Sequence, residues 1–278
     1  LPHLFLYGPP GSGKTSVAHA CANQMYGNSI NVMMLELNAS DERGIEVVRT
    51  KIKEFVSTAN LYSDENMSTH KFVILDEIDS MTSDAQAILR KIIEAYTYNA
   101  RFCLICNDIN RVTPALHSRC VPFRMAPLKD ADIVTKIREV AKKEKFEITE
   151  DGVTTVVNRS AGDMRMVLNT LQSTFMSFGK IDEKSVNKIL AYPSEQEIME
   201  IVKVMLELPL QQAHLQLSHI KYANGLSLTD LIKEIHNLLL KFILNRDAES
   251  MLNKLSDIQI MTIFKRLSDL EYNLSICT

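Results

Sequence analysis

The chain has 278 residues, 46% of them hydrophobic, with 31 Lys and Arg against 34 Asp and Glu for a formal net charge of −3. That length suits two or three domains with real cores, and the charge excludes a global basic field, leaving any nucleic-acid contact to a local stripe. Five cysteines without a disulfide framework fit a reducing cytosol or nucleus, and with no signal peptide or long apolar run a membrane role is not expected.

The first element is the apolar run Leu4-Phe5-Leu6-Tyr7, read as a strand, and Gly8-Pro9-Pro10-Gly11-Ser12-Gly13-Lys14-Thr15 follows at once. A glycine, four free positions and Gly-Lys-Thr between a strand and a helix fit the P-loop template, a nucleotide triphosphate site. Gly11 and Gly13 let backbone N–H groups approach phosphate oxygens, Lys14 reaches the β- and γ-phosphates, and the Thr15 hydroxyl ligates Mg²⁺. A helix from Thr15 to about Tyr26 points its positive end at the same anion, and Ser16 in its first turn is expected among the nucleotide-binding residues.

Met33–Leu37 is a further apolar run, ending in the capping cluster Asn38-Ala39-Ser40-Asp41. Ile45, Val48, Ile52 and Phe55 recur at helical spacing, with Arg49, Lys51 and Lys53 largely off that stripe, and Asn60 to His70 reads as a polar loop. Lys71–Leu75 is a buried-type strand closing on Asp76 and Glu77. Ser83 is expected to cap a helix to about Tyr96, with Ile88, Ile92 and Ala95 inward and Arg90 and Lys91 nearby. Arg101–Cys106 is the next strand, ending at Asn107; Pro114–His117 is one turn of helix and Cys120–Arg124 a short strand. This alternation predicts a parallel sheet covered on both faces. Beyond Pro127 come helices at Asp130–Glu144, Asp151–Arg159, Met164–Phe178 and Glu183–Leu190; after Pro193 come Ser194–Leu206, Leu210–Ala223, Ser227–Asn245 and two weaker tail segments. The reading is an α/β core at 1–127, a small helical domain at 128–192 and a helical tail at 193–278.

Asp76, expected beside the P-loop strand, would hold Mg²⁺ with Thr15. Strand alternation would send Glu77 to the other face, where a carboxylate can polarise a water aimed at the γ-phosphate. An Asp-Glu pair favours hydrolysis over transfer to an acceptor. Asn107 can orient that water or read the γ-phosphate, while Asp79 reads as a helix-side cap and no more. Cys103 and Cys106 form a C-x-x-C inside an apolar strand, without the second pair or His cluster a metal site would need.

Gly8–Thr15, Leu75-Asp76-Glu77-Ile78-Asp79, Asn107, Ser118-Arg119-Cys120 and Gly162-Asp163-Met164-Arg165 together resemble the AAA+ clamp loader family, and within it the small subunits of eukaryotic replication factor C. Leu35–Gly44 and Arg101–Asn107 match it as well; the likeness is dense from Leu1 to about Leu171 and diffuse beyond. The resemblance implies a P-loop AAA+ core with its sheet between helices, a helical lid and a helical collar. It implies that Asn107 is sensor 1, that Arg119 is an arginine finger reaching a neighbouring subunit's ATP, and that Arg165 is sensor 2 over this chain's own nucleotide. It also implies a nuclear hetero-pentamer with the other replication factor C subunits, a sliding clamp as partner, and primer–template DNA held by its phosphates, with Arg49, Lys53 and Arg90 facing the bore. Where the family has Asp-Glu-Ala-Asp this chain has Asp76-Glu77-Ile78-Asp79, which keeps both catalytic acids. The family's upstream adenine-holding segment would lie before Leu1, so the chain is expected to be an excerpt. Two other readings are a scaffold subunit that binds nucleotide with little turnover and a homo-oligomeric AAA+ DNA remodeller.

Overall fold

A computed structural model of the chain describes residues 1–40, 45–57, 70–245 and 256–277. Asp41 of the capping cluster, the polar stretch at 58–69 and the tail stretch at 246–255 lie outside them. The chain divides into two compact units, Leu1–Glu139 with Val157–Leu168, and Val140–Val156 with Asn169–Thr278.

The first unit holds β1 (Leu4–Tyr7), α1 (Lys14–Tyr26), α2 (Ile30–Met33), β2 (Met34–Asn38), α3 (Ile45–Ser57), β3 (Lys71–Asp76), α4 (Ser83–Tyr96), β4 (Ala100–Cys106), α5 (Pro114–His117) and β5 (Val121–Arg124). All strand pairs are parallel, in the order β2-β3-β4-β1-β5. This corrects one expectation: the strand ending at Asp76 is not beside the P-loop strand, because β4 lies between them. β4 is the strand suited to that place. From Phe102 to Cys106 it is buried on both faces, and it is registered against β1 (Leu4 with Cys103) and β3 (Leu75 with Leu104). The consequence is functional, since Asn107, one residue past β4, emerges between the P-loop and Asp76.

Side chains alternate across the sheet as the pleat requires. Phe5, Val73, Leu75, Phe102, Leu104 and Cys106 pack on one face with Ile52 and Val56 of α3 and Leu89 and Ile93 of α4. Leu4, Leu6, Phe72, Ile74, Cys103 and Ile105 pack on the other with Ala18, Ala22 and Tyr26 of α1. Cys103 and Cys106, three apart on one strand, therefore face opposite sides and cannot share a ligand or a disulfide. Two readings of α4 need correction. Its cap is Thr82, whose hydroxyl accepts from Ala85 N at 3.3 Å, and Ser83 is the first helical residue. Its inward residues are Gln86, Leu89, Ile92 and Ile93, whereas Ala95 is exposed. Nor does Asn38 cap a helix: its Oδ1 accepts from Ser40 N and Ser40 Oγ, each at 2.9 Å, closing a local turn at the end of β2.

The remaining helices are α6 (Asp130–Glu144), α7 (Glu150–Ser160), α8 (Met164–Phe178), α9 (Glu183–Ile189), α10 (Glu195–Glu207), α11 (Leu210–Asn224), α12 (Leu228–Asn245) and α13 (Asp257–Cys277). The boundary between the units falls within α6, α7 and α8. In the second unit, capping boxes start α9 (Asp182 with Ser185) and α10 (Ser194 with Glu197), each cap worth about 1 kcal/mol. Ile198, Ile201, Val202, Leu231, Ile235, Leu239 and Ile260 form an apolar core joining α10, α12 and α13. Among the described residues no helix is long and apolar enough to cross a membrane.

Candidate active site

The chain leaves β1 at Gly8 and wraps into α1 with Gly11 at φ 64° and Gly13 at φ 88°, both in the left-handed region. Gly11 also lacks room for a side chain, since a Cβ there would stand 1.7 Å from Asp163 Oδ1 and 2.9 Å from Asp163 Cα. Gly13 contributes no capping side chain to α1, and the first turn holds no acid. The amide groups at that helix end are thus suited to an anion.

Lys14, only 7% exposed, is held from three sides. Its Nζ donates to Gly8 O at 2.9 Å, Pro9 O at 2.8 Å and Asn107 Oδ1 at 2.8 Å. Burial pushes its pKa below the ordinary lysine value, with the nearby Asp76 carboxylate opposing the shift. Ser12 Oγ donates to Pro9 O at 2.8 Å and braces the same loop.

At the end of β3, Asp76 uses both oxygens: Oδ2 accepts from Thr15 Oγ1 at 2.7 Å and Oδ1 from Glu77 N at 2.8 Å. Glu77 stands outside the strand at φ 55°, ψ 38°. Strand alternation therefore does not aim it, contrary to expectation. A left-handed turn does, a conformation that costs a non-glycine residue on the order of 1 kcal/mol or more and recurs at functional sites. The short helical turn Ile78–Ser80 follows, fixed by Ser80 N and Ser80 Oγ, which both donate to Glu77 O.

That turn carries Asp79, and here the structure departs again from the sequence reading. Asp79 caps no helix; its Oδ2 accepts from Asn107 N at 3.1 Å and Asp108 N at 3.0 Å. Nearby, Gln86 is 1% exposed and ties the same segments, donating from Nε2 to Met81 O and Arg111 O and accepting at Oε1 from Thr113 N.

These groups open onto one pocket of about 370 Å³, lined by Pro10, Gly11, Ser12, Gly13, Lys14, Thr15, Ser16, Asp76, Glu77, Asn107, Leu128, Met164, Arg165 and Leu168. Arg165 reaches it from the first turn of α8, which is anchored by Asp163: its Oδ1 accepts from Arg165 N at 2.8 Å and Met166 N at 3.1 Å. Met164 N also donates to Gly11 O at 3.3 Å, joining the lid turn to the P-loop. Gly8 and Pro9 stand behind the pocket as the carbonyls that hold Lys14.

Arg119 is elsewhere. Its Nε and Nη2 bind Glu94 Oε1 of α4 at 2.6 and 2.5 Å, and its Nη1 donates to Ala115 O. Arg90 approaches the same Glu94 oxygen at 3.8 Å. Arg49 and Lys53 lie exposed on α3. None of these four lines the pocket.

Sequence reasoning missed Glu94, Gln86 and the service of Asp79 and Asp163. Glu94 had a signal, four residues after Arg90 on one helix; Gln86 had none, because a polar residue on an inward face looks like an outward one. Burial pushes the Cys103 and Cys106 thiols up to about 12, away from the thiolate form that reacts or binds metal. Among the described residues no group of His, Cys, Asp and Glu is arranged to hold a metal by itself.

Comparison with known proteins agrees with this geometry. Residues 4–128 match the ATPase family associated with various cellular activities (AAA). Residues 135–176 match the RCF1/5-like AAA+ ATPase lid domain, and 193–276 the replication factor C C-terminal domain. The chain is 43% identical to replication factor C subunit 5 of Homo sapiens over 279 residues, covering 100% of this chain and 78% of that one. It is 40% identical to replication factor C subunit 3 of Saccharomyces cerevisiae over 280 residues, covering 99% and 78%. The Thermotoga maritima RuvB Holliday junction branch migration motor aligns with TM-score 0.52 over 83% of this chain and 77% of that one. At 16% identity that likeness concerns the fold alone. The chain belongs to the small-subunit family of replication factor C and is an AAA ATPase of the clamp-loader class.

Proposed function

We propose that this chain binds and hydrolyses ATP in the pocket around Lys14, and that it does so as one subunit of a hetero-pentameric loader that places a sliding clamp on primer–template DNA in the nucleus. The observation that carries the reading is the convergence on one pocket of the P-loop, Asp76, Glu77, Asn107 and Arg165. Gly11, Ser12, Gly13 and the start of α1 would cradle phosphates by their amides, and Lys14 would neutralise the terminal ones. Thr15 Oγ1 and Asp76 Oδ2, 2.7 Å apart, are hard oxygen donors of the kind Mg²⁺ takes. When bound, the ion would neutralise charge on the β- and γ-oxygens.

Glu77 is the general base. Its carboxylate takes the proton of a water as that water's oxygen attacks the γ-phosphorus and ADP leaves, while the Asn107 amide aims water and phosphoryl group at one another. Arg165, on the lid turn, closes over this chain's own nucleotide. Arg119, bound to Glu94 of α4 outside the pocket, serves a neighbour's nucleotide in trans, where a guanidinium is worth ~10³–10⁵ in rate. Ring assembly then becomes a condition of hydrolysis. Arg49, Lys53 and Arg90 supply phosphate contacts, which carry affinity without sequence preference.

Functionally the chain keeps the division into a core at 1–127, a lid at 128–192 and a collar at 193–278. Tyr222, Leu244 and Ile258 of the collar are exposed by 81%, 73% and 80% in the single chain, surface suited to packing against related subunits.

Two substitutions in the assembled complex test this. Lys14→Ala abolishes ATP binding at this subunit. Arg119→Ala spares that binding and lowers DNA-stimulated hydrolysis by ~10³-fold at the neighbouring site. Unchanged DNA-stimulated hydrolysis with Arg119→Ala contradicts the in-trans assignment.

A further inference from the structure

The acid that sequence reasoning dismissed sits at the junction of the two halves of the hydrolytic apparatus. The β3–β4 ladder pairs Lys71 with Ala100 through Leu75 with Leu104 and goes no further, while β1 pairs with β4 only as far as Cys106. Asn107 and Asp108 therefore lie beyond both ladders, and no strand partner fixes their peptides. Asp79 supplies the fixing, accepting both amide protons on one carboxylate oxygen. From there the chain of bonds continues through the Asn107 side chain to Lys14 and the carbonyls of Gly8 and Pro9. On its other side Asp79 is two residues from Glu77, across a turn locked by Ser80.

We propose that Asp79 is a positioning residue for hydrolysis: by binding the Asn107 and Asp108 amides it sets the separation between Glu77, which takes the water's proton, and Asn107, which aims that water. It touches neither nucleotide nor water and acts through the Asn107 peptide. The proposal rests on the hydrolytic reading of this pocket. Acceptance of both bonds by one oxygen makes the role geometric. A side-chain amide oxygen at the same place can accept both, whereas a carboxylate one methylene further out cannot reach the same point.

The test is single-turnover ATP hydrolysis in the assembled complex, with the other subunits' P-loop lysines changed to alanine, alongside nucleotide affinity at this site. Asp79→Ala is expected to slow hydrolysis by up to about a hundredfold, the scale of a misplacement near 1 Å, with affinity little changed. Asp79→Asn recovers most of the rate, and Asp79→Glu, which keeps the charge and moves the acceptor, stays slow. Adding Asp79→Ala to Asn107→Ala costs little more, because the peptide it holds then carries no amide to aim. An unchanged rate with Asp79→Ala overturns the proposal, as does Glu outperforming Asn, or a full multiplicative loss on the Asn107→Ala background. If Asp79→Ala fails to assemble, the order of Asn and Glu still decides. Glu77→Gln separates the two levels: if it leaves hydrolysis intact the hydrolytic reading of the pocket fails, and if it stops hydrolysis while the Asp79 variants do not, only the positioning role fails.

Discussion

Burial decides the state of the thiols on the central strand, and that carries a pH signature. Cys103 and Cys106 are pushed from 9.0 up to about 12, first by burial and then by neighbouring charges such as Asp76 and Asp79, and Cys120 to about 11. Below the unfolded value near 9 the thiols are protonated in both states and contribute nothing that varies with pH. Between there and the folded value only the unfolded chain gives up these protons, so stability falls as pH rises. Denaturant midpoints are expected to drop between about pH 8 and about pH 10.5, and to drop less in the Cys103→Ala, Cys106→Ala protein. Equal slopes in the two proteins contradict buried neutral thiols. The same scale shows what a sequence conveys about single residues. The P-loop was legible because its glycines, lysine and threonine are each demanded by the phosphate, at fixed spacing. Glu77 was legible as a residue of the pocket and not as a left-handed one, since nothing in Asp76-Glu77-Ile78 announces that the strand stops at Asp76. Asp79 was misread because its partners are backbone amides 28 and 29 residues away, which no local pattern encodes.

At the scale of elements, the apolar runs located every described strand and the helical spacing most helices, while strand order stayed hidden. Runs of equal apolarity do not say which is central; pairing does, since β3 and β4 are both buried on both faces and only β4 stands between β3 and β1. α4 shows the complementary failure. Its apolar residues suggested a face through Ile88, Ile92 and Ala95, yet of these only Ile92 is buried, and the inward face adds Gln86, Leu89 and Ile93 while Ala95 is exposed, because a glutamine occupies a core position. That glutamine joins α4 to the turn after β3 and to the segment leading into α5 through three backbone partners. Gln86→Leu keeps the volume and strands those groups, each at a cost of about 1–3 kcal/mol. Thermal unfolding is expected to move down by several degrees, and an unchanged midpoint would mean that the backbone groups find other partners.

At the scale of the whole molecule, each compact unit has a core of its own, and the pocket belongs wholly to the first unit. The residue proposed as the finger lies outside that pocket, bound to Glu94, and under the proposed function one chain would carry half of two active sites. Such a chain would be completed by neighbours, and membership of the replication factor C small-subunit family favours unlike ones. The C-terminal helices were legible as helices from their spacing, while their reading as a collar came from the resemblance alone, because apolar positions at helical spacing serve a core and a partner equally. Native mass spectrometry of the full-length protein with its bound partners tests this most directly. A five-membered assembly of different but related ATPase subunits is the predicted result. A ring of identical copies would contradict it.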